Sequence, residues 1–171
     1  MKSPDMDDLW EFKQIDGTLP QHEPLMQVLG LLVLGSAAAE ATLRSAIYGT
    51  YVLGDEAYIF TDGESTTWLI EKIRMLSANS RNEIHGADLT EIVKLCNELK
   101  GLFEARNRFI HSEYGITPNG TYVTLMSRRH KESEPAAFEV SDIVDLTKSL
   151  TQCSRRLYGR VIYKPPSESN S

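Results

Sequence analysis

A run of apolar residues at helical spacing, Leu95, Leu99, Leu102, Phe103 and Ile110, places the strongest constraint on what this chain can fold into. At about 100° per residue these positions share one face of a helix, and such a face has to be covered. Arg106 sits near the centre of the same stripe. An unpaired guanidinium on an apolar face is costly, so the position needs a partner. Asn107 and His111 are four residues apart and lie one above the other on the flank of the stripe, with Lys100 and Glu104 in line above them. The stretch from Glu104 to Gly115 therefore offers a fixed positive charge, an amide and a titratable imidazole within about one and a half turns.

The rest of the chain reads as scaffolding for that stretch. Proline at position 24 suits a first helical turn, and a helix is predicted from Glu23 to about Tyr51, buried nearly all round, with Gly30, Gly35 and Ser36 to Ala39 giving it a small-residue surface. Residues 54–65 read as a loop around Tyr58, Ile59 and Phe60. Ser65 or Thr66 then caps a second helix through about Ala78, with Leu69, Ile73 and Leu76 on its apolar face. Asp88 and Glu91 fit the spacing of a capping box for the third helix, which carries the stripe and ends between Glu113 and Gly115. Pro118-Asn-Gly120 followed by the alternation from Tyr122 to Met126 predicts a turn and a short strand, and Ala137 to Val140 a second extended piece. Ser141 is the expected cap of a last helix carrying Ile143, Leu146, Leu150, Cys153 and Leu157 and ending near Tyr158. The fold class is mainly α: an up-and-down four-helix bundle with a small β hairpin between helices 3 and 4.

With 171 residues the chain suits one domain, expected over residues 23–163 between a flexible tail, 1–22, and a disordered one, 164–171. Trp10 and Phe12 make the first tail a candidate arm for docking on a partner. Residues 1–23 hold six acids against Lys2 and Lys13 and supply most of the formal charge of −6. Binding nucleic acid by charge alone is excluded by that balance, although Arg155, Arg156 and Arg160 concentrate basic charge late in the chain. Cys96 and Cys153 lack the spacing of a metal or redox pair and read as buried free thiols. No secretory signal begins the chain, and the apolar run Leu25 to Ala39 is shorter than the roughly 20 residues a membrane span needs. A cytoplasmic protein with no membrane partner is expected.

Arginine, asparagine and histidine at this spacing suit phosphoryl chemistry on RNA. An imidazole titrating near neutrality can take a proton from a ribose 2′-hydroxyl or give one to a leaving 5′-oxygen. A guanidinium can pair bidentately with the phosphate and stabilise the charge that builds during transfer. Neither step needs a metal or cofactor.

Arg106-Asn-Arg-Phe-Ile-His111 resembles the signature of the HEPN superfamily (higher eukaryotes and prokaryotes nucleotide-binding), an arginine followed after four to six residues, beginning with a polar one, by a histidine. In that family the motif lies near the end of the third long helix of an α-helical bundle, and the order of elements agrees over residues 23 to 158. The resemblance implies a metal-independent endoribonuclease of toxin–antitoxin or phage-defence systems, with Arg106 and His111 as the catalytic pair and Asn107 supporting them. It also implies a homodimer with two motifs facing one cleft, an RNA substrate and a cognate antitoxin protein. Other members of the family are non-catalytic nucleotide-binding or interaction modules.

Arg108 is the nearest candidate for phosphate binding, and Glu40 and Glu104 for supporting roles. Glu40, an acid inside a long apolar helix, is expected to meet Arg106 or His111. Glu104 and Arg108 have the spacing of an i, i+4 surface pair. His85 and His130 read as solvated, His22 as part of the tail, and Trp68 and Tyr48 as core or interface aromatics. On the dimer reading the stripe through Arg106 is the face that holds the second subunit.

Overall fold

Helix boundaries in this chain are set by short-range polar contacts, and Ser65 is the simplest case. Its hydroxyl accepts the Trp68 backbone N–H at 3.2 Å and satisfies a free donor at the start of the helix Thr66–Ser77. The computed structural model describes residues 13–15, 22–50, 61–79, 87–127 and 136–162, and among them this is the second of four helices. The four are α1 (Glu23–Thr50), α2 (Thr66–Ser77), α3 (Ala87–Ile110) and α4 (Val140–Ile162). Four strands, β1 (Lys13–Gln14), β2 (Ser112–Ile116), β3 (Tyr122–Ser127) and β4 (Ala136–Phe138), form one antiparallel sheet in the order β1-β2-β3-β4. The chain is thus mainly helical with a small β element between the third and fourth helices, as its periodicity predicts. Trp10, Phe12, residues 54–60, His85, His130 and the tail beyond 163 lie outside the described residues.

Several boundaries differ from those expected. Helix α3 stops at Ile110 rather than near Glu113, and Ser112–Ile116 is a strand. Residues 13 and 14, read as part of a tail, pair with β2 in the register Lys13 to Ile116 and Gln14 to Gly115. The cap of α4 is built around Glu139 rather than Ser141: the Asp142 carboxylate accepts the Glu139 N–H at 2.8 Å, and the Asp142 N–H donates to the Glu139 carbonyl. Asp88 and Glu91, expected as a capping box, instead accept ion pairs from Arg160 at 3.2 Å and Arg156 at 2.7 Å.

The structure divides into two compact units, Gly35–Phe103 with Ser149–Ser171, and Met1–Leu34 with Glu104–Lys148. The elements described in the first of these are all helices. Leu43 and Ile47 of α1, Leu69 and Ile73 of α2, Ile92, Leu95 and Leu99 of α3, and Leu150 and Leu157 of α4 are at most 2 % exposed. Burial of such side chains stabilises by roughly 1.5–3 kcal/mol each against the entropy of ordering them. The contacts of Leu95 with Cys153, Glu91 with Arg156 and Asp88 with Arg160 run in opposite chain directions, so α3 and α4 are antiparallel. Tyr48 with Thr61, Arg44 with the Thr61 and Glu64 carbonyls, and Glu40 with Thr66 do the same for α1 and the segment that enters α2.

Cys96 and Cys153 are free and buried within this core, as their sequence context suggests. Their sulfurs approach the carbonyls of Ile70 at 3.9 Å and Leu95 at 3.6 Å. Burial pushes the Cys96 thiol from the usual 9.0 up to about 11 and the Cys153 thiol up to about 12. Because the folded values lie above the unfolded one, the thiols favour the fold below about pH 9, and that contribution is lost as pH rises toward 11 to 12. The expected outcome is that the thermal midpoint falls more steeply between about pH 8 and pH 10.5 in the native chain than in a Cys96→Ala, Cys153→Ala variant. Differential scanning calorimetry across that range checks it.

The second unit holds the sheet. Thr117 to Thr121 make the turn between β2 and β3: the Gly120 N–H donates to the Thr117 carbonyl at 2.9 Å, and Gly120 takes a φ of 85°, a left-handed conformation that glycine adopts without a Cβ penalty. Its register pairs Tyr114 with Thr124 and Ile116 with Tyr122, with an irregularity between Ser112 and Tyr114. Phe138 packs its ring against Phe109, Tyr114 and Tyr122 at centroid distances of 5.4, 5.7 and 5.8 Å. His22, read as part of the tail, is buried with its ring edge-on to Tyr122. This aromatic cluster ties the sheet to the C-terminal turn of α3.

Helix α1 departs from the burial predicted for it. Met26, Leu31, Val33 and Leu34 are 45, 55, 44 and 68 % exposed, whereas Leu25, Leu32, Ala39 and Leu43 on the other side are essentially buried. The apolar segment also runs further than the sequence reading has it: Glu23–Tyr48 is long and apolar enough, by length and composition, to cross a membrane. Glu40 and Arg44 in its second half make polar contacts with the segment that opens α2, as protein scaffold helices do.

Candidate active site at the end of the third helix

The apolar stripe of α3 is divided by burial. Leu95, Leu99 and Phe103 are core residues, at most 5 % exposed, while Leu102, Arg106 and Ile110 are half-buried. The stripe is therefore largely filled by its own chain, which corrects its reading as a subunit face. Arg106, half-buried, lies where the covered part gives way to the accessible part.

Asn107 connects the motif. Its side-chain oxygen accepts a hydrogen bond from Arg106 Nη1 at 2.9 Å, and its backbone carbonyl accepts the N–H of His111 at 3.1 Å. One residue thus orients the guanidinium and anchors the main chain of the histidine one turn on. Asn107 is half-buried and His111 exposed. On the helix, Arg106 and His111 are about 140° apart, whereas Asn107 and His111 share a flank within about 40°.

Past Ile110 the helix is closed by hydroxyl groups. The Ser112 hydroxyl donates to the Arg108 carbonyl and the Tyr114 hydroxyl to the Phe109 carbonyl, so two of the helix's terminal acceptors are satisfied by residues of β2. Burial raises the pKa of Tyr114 well above the usual phenol value, which keeps the hydroxyl a donor. Ser112 and Tyr114 carry no catalytic signature and were not singled out by periodicity. The available signal is a hydroxyl side chain four or five residues beyond the carbonyl it meets. Replacing Tyr114 with phenylalanine leaves the Phe109 carbonyl without this donor and is expected to cost about 0.5–1.5 kcal/mol in urea denaturation, with the aromatic packing retained.

The other candidates are placed as follows. Arg108 is exposed and makes no ion pair among the described residues, and Glu104, exposed one turn earlier, is not paired with it. Glu40 is half-buried and accepts the Thr66 hydroxyl at 2.8 Å. Arg156 and Arg160 are engaged by Glu91 and Asp88, so these late arginines serve the pairing of α3 with α4. Trp68 is half-buried with the Lys72 ammonium 5.5 Å from its ring centroid. No group of three or more His, Cys, Asp or Glu able to hold a metal ion occurs among the described residues.

Compared with protein-family models, with curated proteins and with solved structures, the chain matches none.

Proposed function

We propose that this chain is a HEPN-like endoribonuclease that cuts RNA without a metal, acting as a homodimer in the cytoplasm in a toxin–antitoxin or phage-defence setting. The observation that carries the reading is the double role of Asn107, which holds the Arg106 side chain and the His111 main chain at an accessible helix end. In the reaction His111 takes the proton of a 2′-hydroxyl, and the resulting oxygen attacks the adjacent phosphorus. A 2′,3′-cyclic phosphate forms and the 5′-oxygen leaves with a proton from a protonated imidazole, that of the second copy serving as the acid. Arg106 stabilises the charge on the phosphorane, and Arg108 pairs with a neighbouring phosphate.

Incubation of the purified protein with single-stranded RNA in the presence of EDTA tests the reading. The expected products end in a cyclic phosphate and a free 5′-hydroxyl. Absence of cleavage over a panel of RNAs of all sixteen dinucleotide steps overturns it.

A second reading, a non-catalytic HEPN-like binding or scaffold module, is favoured by the charge: the chain carries a formal −6, and Arg156 and Arg160 are already paired. Retained dimerisation and partner binding by an Arg106→Ala, His111→Ala variant, with no nuclease activity in either form, selects this alternative. A gene for a nucleotidyltransferase-like antitoxin beside this one favours the toxin.

A further inference from the structure

Apart from Gln27, the exposed side of α1 is apolar from Met26 to Ala41. At about 100° per residue, Met26, Gly30, Val33, Leu34, Ala37 and Ala41 fall within one arc of roughly 100°, and Leu31 and Ala38 extend its edge. All are exposed, and none is charged. Among the described residues, a Cβ built on Gly30 meets no atom within contact distance. The buried side of the same helix is separate, formed by Leu25, Leu32, Ser36, Ala39 and Leu43.

We propose that this face is covered by the same face of a second copy, with the two α1 helices antiparallel about a two-fold axis near Val33 and Leu34. The order of side-chain sizes along the face supports this occupant. Large residues stand at its N-terminal end and in the middle, small ones at its C-terminal end. Full antiparallel overlap sets Met26 over Ala41 of the partner subunit and Gly30 against Ala37 of the partner subunit, while Val33 and Leu34 of both copies meet at the axis. Large then faces small at the ends, and the glycine–alanine contacts let the backbones approach closely. A parallel pair would crowd the large ends and leave a gap between the small ones.

The size agrees with a specific contact. The face offers roughly 500 Å² per copy, so pairing buries on the order of 1,000 Å², about where biological interfaces begin. An exposed apolar patch of that extent is as large as the largest on a typical monomer, and patches of that size are often functional. A membrane-surface helix would carry lysine and arginine along its polar border. Here Gln27 and Ser45 stand beside the face, Glu23 lies in line with it at its start, and the helix's one basic residue, Arg44, is turned to the Thr61 and Glu64 carbonyls.

This interface rests on the homodimer of the reading above and not on its chemistry. A dimer indifferent to Leu34→Glu that still cleaves RNA overturns the interface alone, and a Leu34-dependent dimer that cleaves none overturns the chemistry alone, whereas a monomer overturns both. Sedimentation equilibrium of the full chain is expected to give a dimer, and Leu34→Glu to raise its dissociation constant at least about a hundredfold, because two charges would be buried at the axis. Circular dichroism of that variant should be unchanged, since the side chain is already exposed. Oxidation of a Gly30→Cys, Ala37→Cys variant is expected to give a covalent dimer, and neither single substitution to do so. Within one helix these positions are about 10 Å apart, too far for an internal disulfide. A monomeric native chain overturns the proposal, as does a dimer indifferent to Leu34→Glu. Cross-linking by either single cysteine shows a parallel pair and overturns the register. Vesicle binding by a monomeric chain, lost in Leu34→Glu, assigns the face to lipid instead.

Discussion

His111→Ala is expected to lower RNA cleavage by about two to four orders of magnitude, the usual contribution of a positioned general acid or base. The fold should not respond, because the side chain is exposed and surface substitutions of this kind stay within about 0.5 kcal/mol. Arg106→Lys is the sharper companion variant. It keeps the charge but loses the planar fork that pairs with Asn107 and would pair with a phosphate, so activity should fall although the positive charge remains. Initial rates on a fluorescent RNA, measured beside thermal melts, separate the two effects. A His111→Ala protein that cleaves as fast as the native chain removes the histidine from the mechanism.

The second large effect is on stability. Leu99→Ala, at a position 0 % exposed in α3, should destabilise the fold by about 2–5 kcal/mol through lost burial and the cavity left behind. For a chain of this length that is a fall in thermal midpoint on the order of 5–15 °C. Leu34→Ala on the exposed side of α1 supplies the contrast, since in the separated protomer it should change the midpoint hardly at all. Had the stripe on α3 been a subunit face, the two variants would exchange roles: Leu99→Ala would act on association and Leu34→Ala on the fold.

Much of this architecture was legible because periodicity is a local property. The spacing of Leu69 and Ile73, or of Leu146, Leu150 and Leu157, is enough to find a helix and its buried side. Turn chemistry was equally readable at Pro118-Asn-Gly120. What escaped were features decided by distant partners. Asp88 and Glu91 have capping-box spacing, and only the nearness of α4 diverts them to Arg160 and Arg156. Ser112 to Ile116 continues a helical pattern until β1 and β3 offer it pairing on both edges. For α1, composition alone cannot tell an apolar residue that packs inside its own chain from one left for another molecule. The motif itself stood out because arginine on an apolar stripe is costly, whereas Asn107's link to both Arg106 and His111 depends on helix geometry and a rotamer.

The pairing of β1 with β2 also bears on when the end of α3 can mature. Local contacts suffice for the helix and for the hairpin of β2 and β3, but Lys13 must find Ile116 across roughly a hundred residues, a slow event by the logic of contact order. During synthesis residues 13 and 14 emerge long before their partner exists. Until they dock, β2 presents an unpaired backbone edge beside the hydroxyls that close the helix, the kind of edge another strand can join. Once docked, Lys13 and Gln14 cover that edge beside the motif while the rest of the fold is being made.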